Sequence, residues 1–229
     1  IGGIRAVAML LSYEIPMGIS AAGVVIVAGS LSLSEVVNNQ VIPNAIFQPL
    51  GFITFLIAST AELNRSPFDI TEAESELVAG YMTDYSSMKF GLFYLGEFMA
   101  TIASSAIIVT FYFSGWRGPS FIPSEIWFLA KWIGVIAIFI WFRATFPRLR
   151  IDQIMSLAWK GLFELSLINV LVLALMIAIW PDPSGIQLLI MTLINWVVFF
   201  LSIYIFGKIL SPNLTGNKIT KRSVVYGLD

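Results

Sequence analysis

The sequence predicts an all-α, polytopic integral membrane protein, and three observations support this fold class. Hydrophobic residues make up 58% of the 229 residues and charged residues only 12%, whereas a soluble domain carries about 25% charged residues. Mean hydropathy is +0.86. Several apolar stretches approach or exceed the roughly 20 residues that a helix needs to cross a bilayer. The six candidate spans are 7–29, 46–61, 90–113, 125–143, 159–180 and 186–209.

The ends of these spans follow charges and helix-breaking residues in chain order. Arg5 precedes the first span, and Pro43 and Pro49 stand at the start of the second, which shortens it. Lys89 precedes the third span, a basic cluster separates the fourth from the fifth, and a tight external turn at 181–185 separates the fifth from the sixth. We predict one transmembrane helical domain over 1–210, which includes a long acidic loop at 62–89, and a polar tail at 211–229.

Lysine and arginine residues in the short loops predict the orientation. The basic residues at the inner ends of the spans all fall on one side if both termini are cytoplasmic, and Arg117 alone lies opposite. The loops 31–45, 114–124 and 181–185 then face outward. The cytoplasmic set is Arg5, Arg65, Lys89, Arg143, Arg148, Arg150, Lys160, Lys208, Lys218, Lys221 and Arg222.

Missing residue types exclude several kinds of chemistry. The chain has no cysteine and no histidine, which excludes a disulfide framework, iron–sulfur ligation and histidine acid/base chemistry. A net charge of −1 gives no reason to expect nucleic acid as a partner. The opening residues "IGGIRAVAML" show neither an initiator methionine nor a signal peptide. We expect a processed chain or, in preference, the later portion of a longer protein.

Acidic residues concentrate between the second and third predicted spans. Six of the chain's 14 acids fall between positions 62 and 84, with Arg65 as the one base between these ends. Two N-terminal helix signals, at Ser66 and Thr71, predict a short helix that begins within 66–72. Three of the acids would share one face of that helix, and Glu74 would point elsewhere. The six acids are Glu62, Asp69, Glu72, Glu74, Glu76 and Asp84.

This acidic segment has two interpretations. It is either a solvated loop that caps a helix, or a polar cavity at the membrane surface where crowded carboxylates raise one another's pKa values and share protons. Acids within the spans favour the second interpretation: Glu14, Glu97 and Glu164 each cost about 2–3 kcal/mol at depth and so usually face a cavity or a partner. Glu14 and Glu97 belong to the same cytoplasmic half as the acidic segment, and together they predict a hydrophilic path into the membrane.

At these residues the sequence resembles one membrane subunit of respiratory complex I, the NADH:quinone oxidoreductase, namely the subunit designated H or 1. The resemblance rests on "AELNRSPFDITEAESELVAGYMTDYSSMKFGLFYLGEF" (61–98), "GGIRAVAMLLSYEIP" (2–16) and "WFRATFPRLRIDQIMSLAWK" (141–160). It covers about residues 1–180 and lacks the family's amino-terminal portion. Met82 and Glu164 depart from the family's pattern, so neither receives a role from it.

The resemblance implies a role in quinone chemistry coupled to proton movement. It assigns Glu62, Arg65, Phe68, Asp69, Arg143 and Arg148 to the quinone chamber, with Arg150 in the same basic loop. It assigns Glu14, Glu72, Glu74, Glu76 and Glu97 to a proton path.

The resemblance also implies the setting of the chain. Quinone would be a substrate, the chain itself would bind no cofactor, and FMN and iron–sulfur clusters would belong to partner subunits of the peripheral and membrane arms. We expect the bacterial cytoplasmic membrane, with the mitochondrial inner membrane as the alternative. Two other functions stay open: the equivalent subunit of a ferredoxin-linked or energy-converting hydrogenase complex, and a stand-alone ion channel or carrier. The lack of an internal repeat disfavours a carrier built from two inverted halves.

Overall fold

A computed structural model describes residues 2–64, 67–68, 85–119, 122–147, 149–181, 183 and 185–214 of the chain. All regular structure in these ranges is helical, which confirms the all-α prediction. The elements are α1 (Gly2–Ala28), α2 (Leu33–Asn39), α3 (Asn44–Phe47), α4 (Pro49–Glu62), α5 (Met88–Tyr112), α6 (Ser124–Thr145), α7 (Ile151–Leu157), a π-helical turn (Ala158–Leu162), α8 (Phe163–Ile179) and α9 (Gly185–Leu214).

Five helices in the described part of the chain are long and apolar enough to cross a membrane. They are α1, α5, α6, α9 and the continuous helix Ile151–Ile179, which joins α7, the π-helical turn and α8 and has a mean hydropathy of 2.5. Much of their surface is exposed Ile, Leu, Val and Phe, the composition that a helix needs where its neighbour is lipid. The chain is therefore a polytopic membrane protein.

The second predicted span is shorter than the sequence suggested. It corresponds to α4, which has 14 residues and spans roughly 21 Å, against a hydrocarbon core of about 30 Å. Gln48 breaks the helical path between α3 and α4, with φ −130° and ψ 73°. Pro49, the first residue of α4, cannot donate a backbone hydrogen bond. The prediction of six spans is therefore not confirmed, because α4 is too short to cross the hydrocarbon core as a straight helix. The short helix still runs antiparallel to α1, since the Ser20 and Thr54 hydroxyls share a hydrogen bond of 2.8 Å and Glu14, earlier in α1, acts on Glu62, later in α4.

The outer connections are held by two cations. The Arg117 guanidinium donates to the backbone carbonyls of Asn38 and Gln40, at 2.9 and 2.8 Å. The Lys131 ammonium donates to three backbone carbonyls within 113–117, at 2.6 to 3.1 Å. These carbonyls lie beyond the end of α5, where backbone acceptors lack helical partners. Lys131 therefore lies at the same end of the bundle as Arg117, so the prediction that Arg117 alone lies opposite the basic set is wrong. Both charges have a structural reason to be there, because they bind loop carbonyls.

Candidate functional site

An aromatic cluster lies at one end of the bundle, between the first half of α1, the end of α4 and α7. Tyr13 and Phe68 meet edge to face with ring centroids 5.4 Å apart, and both side chains are buried. The Tyr13 hydroxyl donates to the Ile154 carbonyl at 2.9 Å, which ties α1 to the start of α7. Met9 and Ala61 complete the same buried cluster. The sequence analysis assigned Phe68 to the quinone chamber. In this chain its side chain is buried in the cluster and only 3% exposed.

The start of the acidic segment contacts the basic loop that follows α6. The Leu149 amide donates to the Pro67 carbonyl at 3.1 Å. Arg143 lies in the last turn of α6, and Arg150 precedes the first residue of α7. The Arg150 amide donates to the Gln153 side-chain oxygen at 3.2 Å, which caps α7. Two segments that are about 80 residues apart in sequence therefore meet at one end of the bundle.

Two of the predicted carboxylates lie close enough for the charge of one, Glu14, to act on the other, Glu62. Glu62 is the last residue of α4, and Glu14 lies on the neighbouring face of α1. Burial by nearby atoms raises the pKa of Glu62, and the negative charge of Glu14 raises it further. Both side chains still reach solvent, so the burial that raises the pKa of Glu62 is partial. Glu97 is partly exposed on a different helix, α5, where the Thr101 hydroxyl donates to its backbone carbonyl at 2.9 Å.

The remaining predicted site residues lie outside the described part of the chain, so their roles stay predictions. They are Arg65, Asp69, Glu72, Glu74, Glu76 and Arg148, together with the predicted helix that begins within 66–72.

The π-helical turn lies beside this end of the bundle. Trp159, in the turn, donates its indole N–H to the Ser12 hydroxyl at 3.1 Å, and that hydroxyl donates to the Ala8 carbonyl at 2.7 Å. Single π-turns within α-helices occur frequently at functional sites. This turn gives α1 a second polar link to the helix Ile151–Ile179, one turn from the Tyr13 bond.

Sequence reasoning missed a buried hydroxyl cluster in the membrane domain. The Tyr112 hydroxyl, at the end of α5, donates to the Gly51 carbonyl at 3.1 Å and lies 3.4 Å from the Ser20 carbonyl. Thr54 donates to the Leu50 carbonyl at 2.9 Å and meets Ser20. Each residue by itself is ordinary in a membrane helix, so the signal in the sequence is weak.

A pair of buried amides continues this cluster. Asn169 Nδ2 lies 3.4 Å from Gln48 Oε1, so α8 meets the break before α4. Two glycines leave space for these amides. A Cβ added at Gly51 would lie 2.6 Å from Asn169 Nδ2, and one added at Gly23 would lie 3.2 Å from the same atom. Asn195 of α9 donates to the Phe47 carbonyl at 2.8 Å. The signals available in the sequence were Gln48, which stands next to Pro49, and Asn169, which stands within an apolar run.

A cavity of about 750 Å³ lies at the opposite, outer end of the bundle. Its wall includes Val27 of α1, Asn38 of α2, Trp180 and Leu188. None of the predicted site residues that the structure describes lines it. The aromatic cluster and the carboxylates, rather than this cavity, therefore define the candidate site.

The fold and the site define a class of protein: a polytopic membrane protein with a buried aromatic cluster, carboxylates and arginines at one end of its helix bundle. The profile of the NADH dehydrogenase family matches residues 1–174. The chain belongs to this family.

Named relatives agree with this assignment, and all three are NADH-quinone oxidoreductase subunits. The chain is 48% identical over 208 residues to the subunit designated H of Dehalococcoides mccartyi (strain CBDB1), which covers 91% of this chain and 58% of the relative. It is 50% identical over 173 residues to the subunit designated H 1 of Geobacter metallireducens, covering 75% of this chain and 52% of the relative. For the subunit designated H of Geobacillus kaustophilus the identity is 48% over 178 residues, and the coverage is 76% and 54%. The chain therefore spans just over half the length of these relatives.

Proposed function

We propose that this chain is a membrane subunit of a proton-translocating NADH:quinone oxidoreductase. In this role it forms part of the quinone chamber and of the carboxylate path that couples quinone reduction to proton pumping. The observation that carries the proposal is the buried Tyr13–Phe68 cluster, beside which Glu14 lies close enough to Glu62 for its charge to raise the pKa of Glu62. The names of the relatives, all NADH-quinone oxidoreductase subunits of the same designation, supply the substrate class and the partner subunits.

The chamber wall needs an apolar, aromatic surface with a few polar groups, as ligand sites in proteins generally do. Phe68 and Tyr13 are themselves buried and would support that surface from behind. The bond from Leu149 to Pro67 holds the first residues of the acidic segment against the basic loop. Arg143, and with it Arg148 and Arg65 from outside the described residues, would attract the negative charge that builds up when a quinone accepts electrons.

The proposed reaction balances two electrons with two protons. A quinone would take up two electrons, one at a time, and two protons to become a quinol. An iron–sulfur cluster in a partner subunit would supply these electrons, and FMN in another partner would supply the chemistry that receives them from NADH. This chain's residues act only on protons and charge. Glu62 holds its proton at higher pH than an isolated glutamate because it is desolvated and faces Glu14. Charge at the quinone would shift protons on Asp69, Glu72, Glu74 and Glu76, and Glu14 and Glu97 would relay the change into the membrane arm.

The test compares two variants in the assembly purified from its native membrane. Glu62→Gln should lower the coupled rate of NADH-driven quinone reduction in proteoliposomes by about tenfold or more, while native gels show an intact assembly. Glu125→Gln, an exposed acid at the outer end of α6, is the matched control and should retain the coupled rate. Wild-type coupling in an assembled Glu62→Gln variant would refute the carboxylate path.

The same preparation separates the other candidate functions. Inhibitor-sensitive quinone reduction by NADH supports the proposed electron donor. Activity with reduced ferredoxin alone would indicate the ferredoxin-linked complex instead. Ion transport by the isolated chain without any redox partner would indicate a channel or carrier. We expect the assembly in the bacterial cytoplasmic membrane, which fractionation of the membranes would establish.

A further inference from the structure

Helix α8 has two opposite faces with the spacing of helix-packing residues. Ser166, Asn169, Leu173 and Met176 are buried against the rest of the bundle. The second set begins two residues earlier, about 200° around the helix. It consists of Glu164, Ile168, Leu171 and Leu175, all exposed.

The spacing of the exposed face is that of an a/d seam. The intervals of four, three and four residues place these side chains in one stripe that can pack into the holes of a facing helix. Ile168, Leu171 and Leu175 are 40%, 55% and 64% exposed. Apolar residues alone fit lipid equally well, so the acid at the end of the stripe decides between lipid and protein.

Glu164 lies within the apolar part of the helix. Lys160 and Trp180 stand at the two ends of this part, twenty residues and roughly 30 Å apart. Glu164 is about 6 Å deeper than Lys160. Lipid chains offer no hydrogen-bond donor, and a carboxylate there is therefore costly without a partner. Within the described part of the chain, Glu164 makes no ion pair or side-chain hydrogen bond, with Lys160 or any other residue.

The neighbouring helix of this chain does not cover the stripe. Helix α9 meets the continuous helix on its other side: Phe206 lies over Gly161, where a Cβ would come within 2.7 Å of its ring. Further along, Met191 packs with the buried Leu173 and Met176. The α9 contacts thus involve the buried set of residues and the π-helical turn.

We propose that the stripe formed by Glu164, Ile168, Leu171 and Leu175 receives a transmembrane helix from outside this chain's 229 residues. That helix presents a Lys or Arg side chain at the level of Glu164 and apolar side chains above it. The ammonium or guanidinium supplies the donors that lipid cannot. This interface does not depend on the proposed redox function.

Photo-crosslinking in the native membrane tests the proposal. The probe p-benzoylphenylalanine replaces Leu171 in the assembled protein, and mass spectrometry identifies its adducts. The matched control carries the probe at Leu193 of α9, which is 66% exposed on a helix with no acid among residues 185–214. We expect the Leu171 probe to bond to a helix outside these 229 residues that contains Lys or Arg. Adducts only with lipid, or only within this chain, would overturn the proposal.

Three substitutions at position 164 make the role of the carboxylate measurable. Glu164→Lys opposes two cations and should lower the yield of the Leu171 adduct by about tenfold. Glu164→Leu, which favours membrane insertion and so keeps the chain in the bilayer, should also lower it. Glu164→Gln, which retains a hydrogen-bond acceptor, should lie between these and the unsubstituted protein. An adduct yield that stays unchanged in both the Lys and Leu variants would overturn the proposed ion pair.

Discussion

Gly51→Ala should destabilise the helix bundle through a single steric contact. The added Cβ would lie 2.6 Å from Asn169 Nδ2 and 3.2 Å from Gln48 Oε1. Since such atoms pack at about 3.5 Å, the asparagine amide must move by roughly 0.9 Å. Asn169 is a buried residue of α8, and its amide faces Gln48 at the break before α4. Protein interiors are close-packed, so the displaced amide has little free volume to enter.

The size of the effect follows from two contributions and one control. Overpacking costs about 1–3 kcal/mol, and loss of the Asn169–Gln48 hydrogen bond adds about 0.5–1.5 kcal/mol. Alanine itself favours a helix over glycine by about 1 kcal/mol. Gly134→Ala in α6 shares that gain, because nothing lies within 4 Å of its added Cβ. The difference between the two variants therefore isolates the steric effect, at about 3 kcal/mol, or about 6–12 °C in Tm.

The assay is thermal unfolding in detergent micelles, followed by the fluorescence of the chain's seven tryptophans. Gly23→Ala, whose Cβ would lie 3.2 Å from Asn169 Nδ2, should fall between the other two variants. Adding Asn169→Ala to Gly51→Ala should cost less than the sum of the two single changes, because the clash partner is gone. Equal Tm values for the Gly51 and Gly134 variants, or strict additivity in the double variant, would refute the steric reasoning.

Three further predictions concern the two ends of the bundle. Tyr13→Phe removes the donor to Ile154 and should lower stability by about 0.5–1.5 kcal/mol; an unchanged Tm in the same assay would contradict it. Because the folded-state pKa of Glu62 is raised, this group's contribution to stability is present below its unfolded pKa and is lost as pH rises through the folded value. Glu14→Gln should lower that folded pKa, which an infrared titration of the Glu62 carboxyl band would detect as a shifted midpoint. Lys131→Met leaves its three carbonyl acceptors without their donor and should speed amide hydrogen exchange in the outer connection by tenfold or more, whereas unchanged exchange would show that the ammonium does not hold this turn.

Much of the fold could be predicted because membrane helices carry strong local signals. Length and hydropathy located the helices that became α1, α5, α6, α8 and α9. The quoted motifs identified the family that the profile of residues 1–174 shows. The second span was the exception. A window of apolar residues does not reveal that Gln48 leaves helical geometry. The Gln48 side chain meets the Asn169 amide, and the adjacent Phe47 carbonyl accepts from Asn195; both of these contacts form only in three dimensions.

The candidate site was predictable in its residue types but not in its contacts. Clustered acids and the "NRSPFD" motif pointed to Glu62 and Phe68. No sequence pattern predicts that Tyr13 closes over Phe68 and bonds to Ile154, because those partners are 55 and 141 residues away in the chain. The pairing of Glu14 with Glu62 likewise required α1 and α4 to run antiparallel in contact.

The sequence by itself determined that this protein is a helical membrane protein of the NADH dehydrogenase family with acids concentrated between two of its apolar helices. Those properties depend on composition and on local motifs, which need no neighbours to be recognised. Only the tertiary structure decided which polar groups pair inside the membrane and that Glu164 faces away from the bundle. The physical reason is that a polar side chain in an apolar span must find a partner, and its partner belongs to another helix.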